Sequence, residues 1–218
     1  MLPQHCVLCA AQSGASGLCA PCLANMPQLG QLRCPCCALP TPQGERCGGC
    51  LQHPPGFDST IAAWAYDWPL DRLIPAYKYG AELALAKPLA EGLILNAKSA
   101  PRPDLLLAMP LHPTRLQERG FNQSQLLADL LAKALRVPVR YDVVERIKLT
   151  PPQASLPRDA RRTAIRQAFR VREAVSGMHI ALVDDVMTTG ASLDELAKTL
   201  KQAGASRIDC WVIARTTN

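Results

Sequence analysis

The stretch that decides the fold is His179-Ile-Ala-Leu-Val-Asp-Asp-Val-Met-Thr-Thr-Gly-Ala-Ser192. Its apolar run, Ile180 to Val183, is bounded by polar residues and predicts a buried strand. Beyond Ser192, apolar and charged residues recur on opposite sides of a helical wheel, which predicts an amphipathic helix. A strand, a turn that contains hydroxyl groups and a glycine, and a helix therefore follow one another directly.

The turn between this strand and this helix predicts a phosphate-binding site. The free N–H groups in the first turn of a helix point at an anion, and the helix dipole favours negative charge there. Gly190 lets a ligand approach the backbone closely, and Thr188, Thr189 and Ser192 supply hydroxyl donors. The structural alternative is that Ser192 only caps the helix.

Two acids precede the turn and restrict the kind of ligand. Asp184 and Asp185 would repel a bare phosphate because all of these groups are negatively charged. The two acids fit a ligand that also carries sugar hydroxyls, or one that brings a divalent metal. Paired acids at the end of a strand are otherwise often only solvated, so the complete string is more specific than any of its parts.

Charge is unevenly distributed along the 218 residues. The chain carries a net charge of +6, with 48% hydrophobic and 19% charged residues. This composition supports a packed core and argues against general disorder, and the length fits one main domain with an attachment. Residues 101–172 hold fourteen Lys or Arg against six Asp or Glu. A basic middle suits a polyanionic ligand such as a pyrophosphate, or nucleic acid.

The sequence contains no recognisable export or membrane segment. Its N-terminus lacks the basic start and the long apolar core of a signal peptide. No apolar run approaches the roughly 18–20 residues that cross a bilayer. We therefore expect a cytoplasmic protein that does not insert into a membrane and whose cysteines do not form disulfides.

Nine of the ten cysteines lie in the first 50 residues and form a repeat, in which each Cys-x-x-Cys pair of the first half recurs 28 positions later. The eight repeated cysteines are Cys6, Cys9, Cys19, Cys22, Cys34, Cys37, Cys47 and Cys50. Two Cys-x-x-Cys pairs complete one tetrahedral zinc site. The repeat therefore predicts two zinc ribbons in tandem, with Cys36 as an additional thiol.

We expect these two zinc ions to be structural. Four sulfur ligands leave no open coordination position, and the segment has too few large apolar residues to fold without its metal. Consecutive pairing of the Cys-x-x-Cys knuckles is the simpler arrangement, and an interleaved cross-brace also satisfies the spacing. Redox-active dithiols and an iron–sulfur cluster are the alternatives to zinc.

The remaining segments alternate between predicted strands and helices. After a linker at 51–60, strands are predicted at 61–66, 105–109, 137–144, 169–171, 179–183 and 207–214. Besides the helix after Ser192, helices are predicted at 70–79, with an interruption at Pro75, and at 83–97 and 125–135. This alternation predicts an α/β fold with a mostly parallel sheet covered on both faces. Ligands of such sheets bind beyond the carboxyl ends of the strands.

A long loop predicted at 110–124 offers further candidate residues. Loops of this length in a compact domain are usually functional. Arg119, which precedes Gly120, is a phosphate candidate because its planar guanidinium can bind two oxygens at once. His112 either serves the structure alone or takes part in catalysis.

Other basic groups could also contact an anion. Lys78 lies between two tyrosines at the end of a predicted helix, as a functional cation or as a surface lysine beside packed rings. Residues 145–168 are strongly basic and contain Arg146, Lys148, Arg158, Arg161, Arg162 and Arg166. Prolines in the first half oppose a continuous helix and predict a mobile segment. The alternative is a solvated charged face.

The string at 179–192 resembles the binding motif for phosphoribosyl pyrophosphate (PRPP) in type I phosphoribosyltransferases. The resemblance implies that the cofactor-binding residues are Asp184, Asp185, Val186, Met187, Thr188, Thr189, Gly190, Ala191 and Ser192. In that motif, the two acids would hold the ribose hydroxyls and residues 188–192 would surround the 5′-phosphate. Ser192 stands where threonine is more usual and keeps the hydroxyl.

The likeness extends over nearly the whole chain, which is similar to the ComF/GntX family. It is carried by the double Cys-rich repeat, by Tyr77-Lys78-Tyr79, by Arg-Gly-Phe-Asn-Gln-Ser at 119–124, and by the stretch from Arg146 through Thr150 and Gln153 to Phe169. The resemblance implies a double zinc ribbon at 1–55 and a domain of the type I phosphoribosyltransferase fold at 56–218. Ala164 stands where the family commonly has asparagine.

This resemblance also implies a function. PRPP and Mg²⁺ would bind at the acidic motif, and the phosphoribosyl group would pass to an unknown acceptor as pyrophosphate leaves. Asp184, Asp185, Arg119 and Lys78 are the expected catalytic residues. Residues 110–120 would form a loop on the pyrophosphate side, and residues 145–168 a hood over the substrate. The family is linked to natural transformation, which implies a role in DNA uptake.

Two functions without catalysis are the alternatives. The zinc ribbons and the basic middle could bind single-stranded DNA, or the ribbons could dock a helicase-like partner of DNA uptake as an adaptor. In either case the PRPP site would be regulatory or vestigial. Aromatic residues make up only 5% of the chain and are scarce in the basic part, which weakens the case for a base-stacking platform.

Overall fold

The computed structural model describes residues 5–13, 17–80, 82–150 and 163–217. The strands are β1 Ser59–Ala65, β2 Leu105–Ala108, β3 Val139–Arg140, β4 Val144–Arg146, β5 Phe169–Val171, β6 His179–Met187 and β7 Arg207–Arg215. The helices are α1 Ala20–Ala24, α2 Gly48–Gln52, α3 Leu70–Tyr79, α4 Ala86–Ala97, α5 Pro113–Arg119, α6 Gln123–Leu135 and α7 Ala191–Gln202, and a 3₁₀ turn at Leu83–Leu85 precedes α4.

Five strands form one parallel sheet, in the order β1-β7-β6-β2-β3. The register of the central pair runs from His179 opposite Arg207 to Met187 opposite Arg215. Because all five strands are parallel, their carboxyl ends meet at one edge of the sheet. The predicted fold class, a mostly parallel α/β sheet preceded by a Cys-rich segment, is confirmed.

The sheet separates two hydrophobic cores, because alternate residues of a strand point to opposite faces. On one face, Val183 and Trp211 are almost fully buried in a core shared with α3, α4 and α6. On the other face, Leu182 and Val212 are fully buried in a core shared with α7. The helices thus cover both faces, and the edge where the strands end stays available for a ligand.

The two Cys-rich repeats pack on opposite faces of this sheet. Cys6 and Cys19 of the first repeat are buried in the core that contains α3 and α4. Cys34 and Cys37 of the second are buried in the core that contains α7. A boundary between domains near residue 55 stays a prediction, but the chain on its N-terminal side contributes to both cores.

The segment predicted as one strand at 137–144 is divided between two sheets, so this prediction is wrong. Val139 and Arg140 pair in parallel with β2. The chain bends at 141–143, and β4 then pairs in the antiparallel direction with β5. The reason is the local change of partner, since no periodicity in the segment marks where one sheet gives way to the other.

Strand β6 is longer than predicted, because β7 accompanies it as far as Met187. Asp184 and Asp185 therefore belong to the strand. The following helix, α7, begins at Ala191 with Gly190 as its N-cap, so the alternative in which Ser192 caps this helix is wrong.

Helix α3 continues through Pro75, so the predicted interruption is also wrong. Pro75 is exposed, whereas Leu73, Ile74 and Tyr77 on the same helix are buried. The apolar contacts of that buried face outweigh the one backbone hydrogen bond that proline removes. Within the part of the chain that the structure describes, no helix is long and apolar enough to cross a membrane.

Candidate functional site

A polar hollow lies where β6 turns into α7, at the carboxyl edge of the sheet. It encloses about 230 Å³, including space that is open to solvent. It is lined by Asp184, Val186, Met187, Thr188, Gly190, Ala191, Ser192 and Leu193. The structure thus brings together seven of the nine residues predicted to bind a cofactor; Asp185 and Thr189 are not in the lining.

The backbone of this turn presents the positive end of α7 to the hollow. Gly190 has φ +76°, a conformation that glycine adopts without strain. A Cβ at this position would lie 2.8 Å from Met187 Cε. Thr189 folds back, and its Oγ1 accepts a hydrogen bond from Ala191 N at 3.3 Å. The remaining N–H groups of the first turn and the helix dipole favour an anion at this position.

The two acids of the motif have different surroundings. Asp184 lines the hollow, and its Oδ1 accepts a hydrogen bond from Ser124 Oγ at 3.0 Å. Asp185 is only 2% exposed, and its Oδ1 lies 2.8 Å from Lys78 Nζ on α3. Neighbouring residues of a strand point in opposite directions, so the Asp184 carboxylate faces the hollow and the Asp185 carboxylate faces the ammonium group of Lys78.

Burial and the neighbouring Asp185 raise the pKa of Asp184 to about 7, although Lys78 opposes that shift. The pKa of Lys78 is lowered by burial and raised by Asp185 and Asp184, and the net change is upward. Lys78 is therefore protonated near neutral pH. Asp184 is poised to change charge in the same range when a cationic or hydroxyl-bearing ligand arrives.

The segment predicted as a long loop at 110–124 contains a helix, so that prediction is wrong in part. His112 caps α5, because its Nδ1 accepts a hydrogen bond from Thr114 N at 3.3 Å, and Pro113 fits the first helical position. Gly120 ends the helix with φ +76°. The structure gives His112 a capping role.

The residues after Gly120 connect α6 to the hollow. Asn122 caps α6, with Oδ1 accepting from Ser124 N at 3.0 Å and Nδ2 donating to Met109 O at 3.1 Å. The cap starts the helix at Gln123, two residues earlier than predicted. It also aims Ser124 at Asp184. Phe121 packs against Tyr77, with ring centroids 6.3 Å apart. Within the motif at 119–124, Asn122 is therefore the residue that fixes the start of α6 and with it the position of Ser124.

Arg119 does not line the hollow. Its guanidinium lies 4.7 Å from the ring centroid of Tyr79, and it donates to Gln123 Oε1 at 2.8 Å and to Tyr79 Oη at 3.1 Å. The partner of Arg119, Gln123, directly precedes Ser124, which contacts Asp184. Tyr79 is 68% exposed, so the stacked pair is accessible to a ligand beside the hollow.

In the basic segment, Arg146 interacts electrostatically with Asp184. Burial lowers the pKa of Arg146, attraction to Asp184 opposes that change, and repulsion from Arg115 adds to it. The Arg146 guanidinium lies 5.8 Å from the ring centroid of Phe169 and hydrogen-bonds Thr150 Oγ1. Part of the predicted hood, including Gln153, Arg158, Arg161 and Arg162, lies outside the described residues.

The Cys-rich repeats form two groups of four, with the sulfur atoms of each group within 4.8 Å of one another. The groups are Cys6, Cys9, Cys19 and Cys22, and Cys34, Cys37, Cys47 and Cys50. The Sγ atoms of Cys9 and Cys19 are 3.6 Å apart, as are those of Cys37 and Cys47. Tetrahedral zinc with bonds of about 2.3 Å requires sulfur separations of about 3.8 Å, so both groups fit zinc.

This grouping confirms consecutive pairing of the knuckles over a cross-brace. Cys36 belongs to neither group and directs its thiol at Phe57 O, 3.7 Å away. Each group has four sulfur ligands, so the chemistry of the donors supports a structural role for both zinc sites.

Sequence reasoning missed Arg215, the last residue of β7. This arginine is 3% exposed, and its guanidinium donates to backbone carbonyls of the β6–α7 turn and of the second Cys-rich repeat. A signal was present: a cation directly follows the apolar run Trp211 to Ala214, at the carboxyl end of a central strand. The contact of Ser124 with Asp184 is also not evident from the sequence, in which Ser124 stands out only as the last residue of the motif at 119–124.

Two known domain families match this chain, one over the Cys-rich repeats and one over much of the α/β sheet. The double zinc ribbon domain family matches residues 1–51, and the phosphoribosyl transferase domain family matches residues 122–217. The DNA utilization protein YhgH of Escherichia coli O157:H7 is 33% identical over 99% of this chain and 98% of that protein. The competence protein F of Haemophilus influenzae is 33% identical over 78% of this chain and 79% of that protein.

Among solved structures, a glutamine PRPP amidotransferase from B. subtilis, complexed with ADP and GMP, aligns with 59% of this chain and 26% of that chain. The TM-score is 0.40 and the identity is 21%. The relatives from Escherichia coli and Haemophilus influenzae, each 33% identical over more than three quarters of this chain, show the family.

Proposed function

The chain belongs to the ComF/GntX family of double-zinc-ribbon proteins with a phosphoribosyltransferase domain, and we propose that it binds PRPP with Mg²⁺ and transfers the phosphoribosyl group to an acceptor. Pyrophosphate leaves in this reaction. The observation that carries the proposal is the hollow in which Asp184, Thr188, Gly190 and Ser192 meet at the N-terminus of α7. It offers a carboxylate for sugar hydroxyls beside a backbone site for a phosphate.

Each side of the hollow has a distinct task in this proposal. The amides and hydroxyls at 188–192 bind the 5′-phosphate, since they lie where the helix dipole favours an anion. The Asp184 carboxylate accepts hydrogen bonds from ribose hydroxyls, and Ser124 holds it in position. Asp185 lies behind the strand, where its pairing with Lys78 fixes the end of α3 against β6. Its role is therefore to support the hollow rather than to touch the sugar.

The departing pyrophosphate needs positive charge. Mg²⁺ that enters with PRPP would neutralise part of the leaving charge and orient it, and the Asp184 carboxylate is an oxygen ligand of the kind this ion prefers. Arg146 has Asp184 among its electrostatic neighbours and can approach the same anion. Arg119, stacked on Tyr79, is the second cation available to the pyrophosphate.

The biological setting is proposed from the relatives. One is named a DNA utilization protein and another a competence protein. We infer that this chain acts in the cytoplasm during DNA uptake. Its partners would be the incoming single-stranded DNA or a helicase-like protein that handles this DNA. The acceptor of the phosphoribosyl group would then be a nucleobase, a nucleotide or a DNA end.

The test begins with binding. PRPP is titrated by calorimetry with and without Mg²⁺ into the wild type, Asp184→Asn and Asp142→Asn. Asp142 is a matched control because it is a surface carboxylate paired with Arg140. Asp184→Asn is expected to weaken binding by about 100-fold, since hydrogen bonds to a charged group contribute about 1.5–3 kcal/mol. Equal affinity in Asp184→Asn and the wild type would refute the assignment.

A second step decides between an enzyme and a binding protein. PRPP, Mg²⁺ and single candidate acceptors are incubated with the protein, and pyrophosphate release is measured. Release that depends on both an acceptor and Asp184 supports transfer.

The alternative without catalysis would place a partner on the second repeat, where the apolar side chains of Leu32 and Leu51 are 55% and 63% exposed. PRPP binding without turnover on any acceptor, together with capture of a DNA-uptake helicase that Leu51→Ser abolishes, would favour an adaptor with a regulatory PRPP site. Oligonucleotide binding that weakens steeply with salt would favour DNA binding instead.

A further inference from the structure

One guanidinium joins the second Cys-rich repeat to the phosphate turn. Arg215 Nε donates to Cys37 O at 2.8 Å. Its Nη1 donates to Met187 O at 2.9 Å, to Thr188 O, and to Thr216 O at 2.7 Å. Cys37 belongs to the second zinc group, and Met187 and Thr188 line the hollow. The same side chain is thus bound to the metal-binding segment and to the wall of the candidate site.

These contacts hold the turn at the point that determines its shape. Only residues 188–190 separate β6 from α7. When the carbonyls of Met187 and Thr188 are fixed, the direction in which the N–H groups of the following residues point is fixed as well. A guanidinium suits this task, because its planar fork of five N–H donors is rigid and cannot lose its charge.

The burial of Arg215 shows that this link is part of the packed structure. The residue is 3% exposed, and removing a guanidinium from water is unfavourable unless its N–H groups are bound. The second repeat supplies one acceptor, and the phosphate turn supplies two. If the repeat moved away, a buried donor would lose its partner.

The segment that follows the second repeat makes a separate set of contacts with the same turn. Gly56 N donates to Asp194 Oδ1 in the first turn of α7 at 2.7 Å. The ring of Phe57 is buried, and its Cζ would lie 3.8 Å from a Cβ on Gly190. Cys36, between two zinc ligands, contacts Phe57 O. The ribbon therefore supports α7 and the turn through more than one residue.

The first repeat lacks this relationship in the part of the chain that the structure describes. Its buried cysteines pack in the core on the opposite face of the sheet, with α3 and α4. A Cβ on Gly17 would contact Ala84 and Leu85, in the turn before α4. The two zinc sites thus stand in different relations to the hollow.

We infer that the second zinc ribbon forms part of the PRPP site, with Arg215 as the positioning residue that holds the phosphate turn against the carbonyl of Cys37. Zinc in the group Cys34, Cys37, Cys47 and Cys50 then determines how well the turn binds a phosphate. This inference rests on the proposed binding of PRPP. It assigns to the ribbon a role inside the phosphoribosyltransferase domain.

The first test replaces the guanidinium. Arg215→Lys keeps the charge but loses the planar fork, and we expect it to weaken PRPP binding at least about tenfold while zinc stays at two per chain. Arg207→Lys is the matched control, because Arg207 begins the same strand at the opposite edge and pairs with Asp209. Unchanged affinity in Arg215→Lys, or an equal loss in Arg207→Lys, would overturn the inference.

The second test removes each metal in turn. Cys47→Ser and Cys22→Ser each alter one partly exposed ligand, the first in the second group and the other in the first group. Zinc content by mass spectrometry is expected to fall from two to one in each variant. The loss of PRPP affinity in Cys47→Ser should exceed that in Cys22→Ser by at least about tenfold. Equal losses would contradict a specific link between the second zinc site and the turn.

Amide hydrogen exchange at 187–193 separates the two proposals, because it needs no ligand. Faster exchange there in Arg215→Lys and Cys47→Ser, but not in Arg207→Lys, shows that the ribbon orders the turn. If the variants show that pattern and the wild type binds no PRPP, the proposed function fails and the structural coupling stands. If the wild type binds PRPP and exchange is unaltered in all variants, the coupling fails and the proposed function stands.

Discussion

Lys78 Nζ lies 2.8 Å from Asp185 Oδ1, and the two side chains are 21% and 3% exposed. This pair joins the last turn of α3 to the end of β6, directly beside the hollow. A buried ion pair is a weak source of stability when intact, but the loss of one partner leaves a charge that water cannot reach. The relationship therefore predicts a large difference between single and double substitutions.

The first prediction concerns this pair. Lys78→Met should lower the free energy of unfolding by about 2–3 kcal/mol, because the buried carboxyl group of Asp185 loses its partner. The partial exposure of Lys78 makes this loss smaller than for a fully buried pair. The measurement is urea unfolding followed by circular dichroism. Arg170→Met is the control, because Arg170 forms a surface ion pair with Glu145. This substitution should lower the free energy of unfolding by less than about 1 kcal/mol.

The double variant Lys78→Met, Asp185→Leu completes the cycle. Because both charges are gone, it should be more stable than Lys78→Met alone. A double variant that is less stable than both single variants would show that the pair does not behave as a buried ion pair.

The second prediction follows from the raised pKa of Asp184, which lies at about 7 in the folded protein against about 3.9 in an unfolded chain. Between these values the folded state binds a proton that the unfolded state does not. The resulting stabilisation is fully present below about pH 4 and is lost as the pH rises through about 7. We expect a contribution of about 1–2 kcal/mol, which Asp184→Asn should abolish.

The same titration should appear in ligand binding. If ribose hydroxyls bind the ionised carboxylate, PRPP affinity falls below pH 7 and binding releases a proton. Calorimetry in two buffers with different ionisation enthalpies, at pH 6.5, measures that proton. Proton release identical in the wild type and Asp184→Asn would assign the titration to PRPP itself.

The third prediction concerns Gly190. Gly190→Ala should destabilise the fold by about 1–2 kcal/mol, because alanine is strained at positive φ, and it should also weaken PRPP binding, because the added Cβ displaces Met187 in the wall of the hollow. Gly177→Ala is a matched control with φ +73° and open space around the Cβ. Thermal unfolding should show similar losses for both, and calorimetry should show weakened binding only for Gly190→Ala.

The fourth prediction separates zinc ligands from the additional thiol. Cys34→Ser should remove one zinc per chain, because a tetrahedral site needs all four ligands. Cys36→Ser should retain both, since Cys36 lies outside the two groups and contacts Phe57 O. Zinc content measured after gel filtration distinguishes the two variants. Loss of zinc from Cys36→Ser would mean that Cys36 takes part in coordination.

Much of the fold follows from local patterns in the sequence. The apolar run at 180–183 and the Thr-Thr-Gly turn predict the strand, the turn and the helix because each depends on neighbouring residues. The spacing of the cysteines predicts two four-sulfur sites for the same reason. The consecutive grouping agrees with the simpler of the two arrangements.

The features that sequence reasoning missed depend on distant partners. Strand β6 extends to Met187 only because β7 continues beside it, and the segment at 137–144 divides because its two halves have different neighbours. The opposite surroundings of Asp184 and Asp185 follow from strand alternation once the strand is known to include both. The role of Arg215 requires knowledge of which backbone carbonyls lie around it.

The link between Arg215 and Cys37 spans 178 positions along the chain. During synthesis the N-terminal part of a chain emerges first, so the four cysteines of the second repeat can capture a metal long before β7 exists. The contact between the second repeat and Arg215 can form only later, when β7 has been synthesised. The phosphate turn can adopt its final shape only after β7 has been synthesised and Arg215 has reached the second repeat, so completion of the ligand site is a late step in folding.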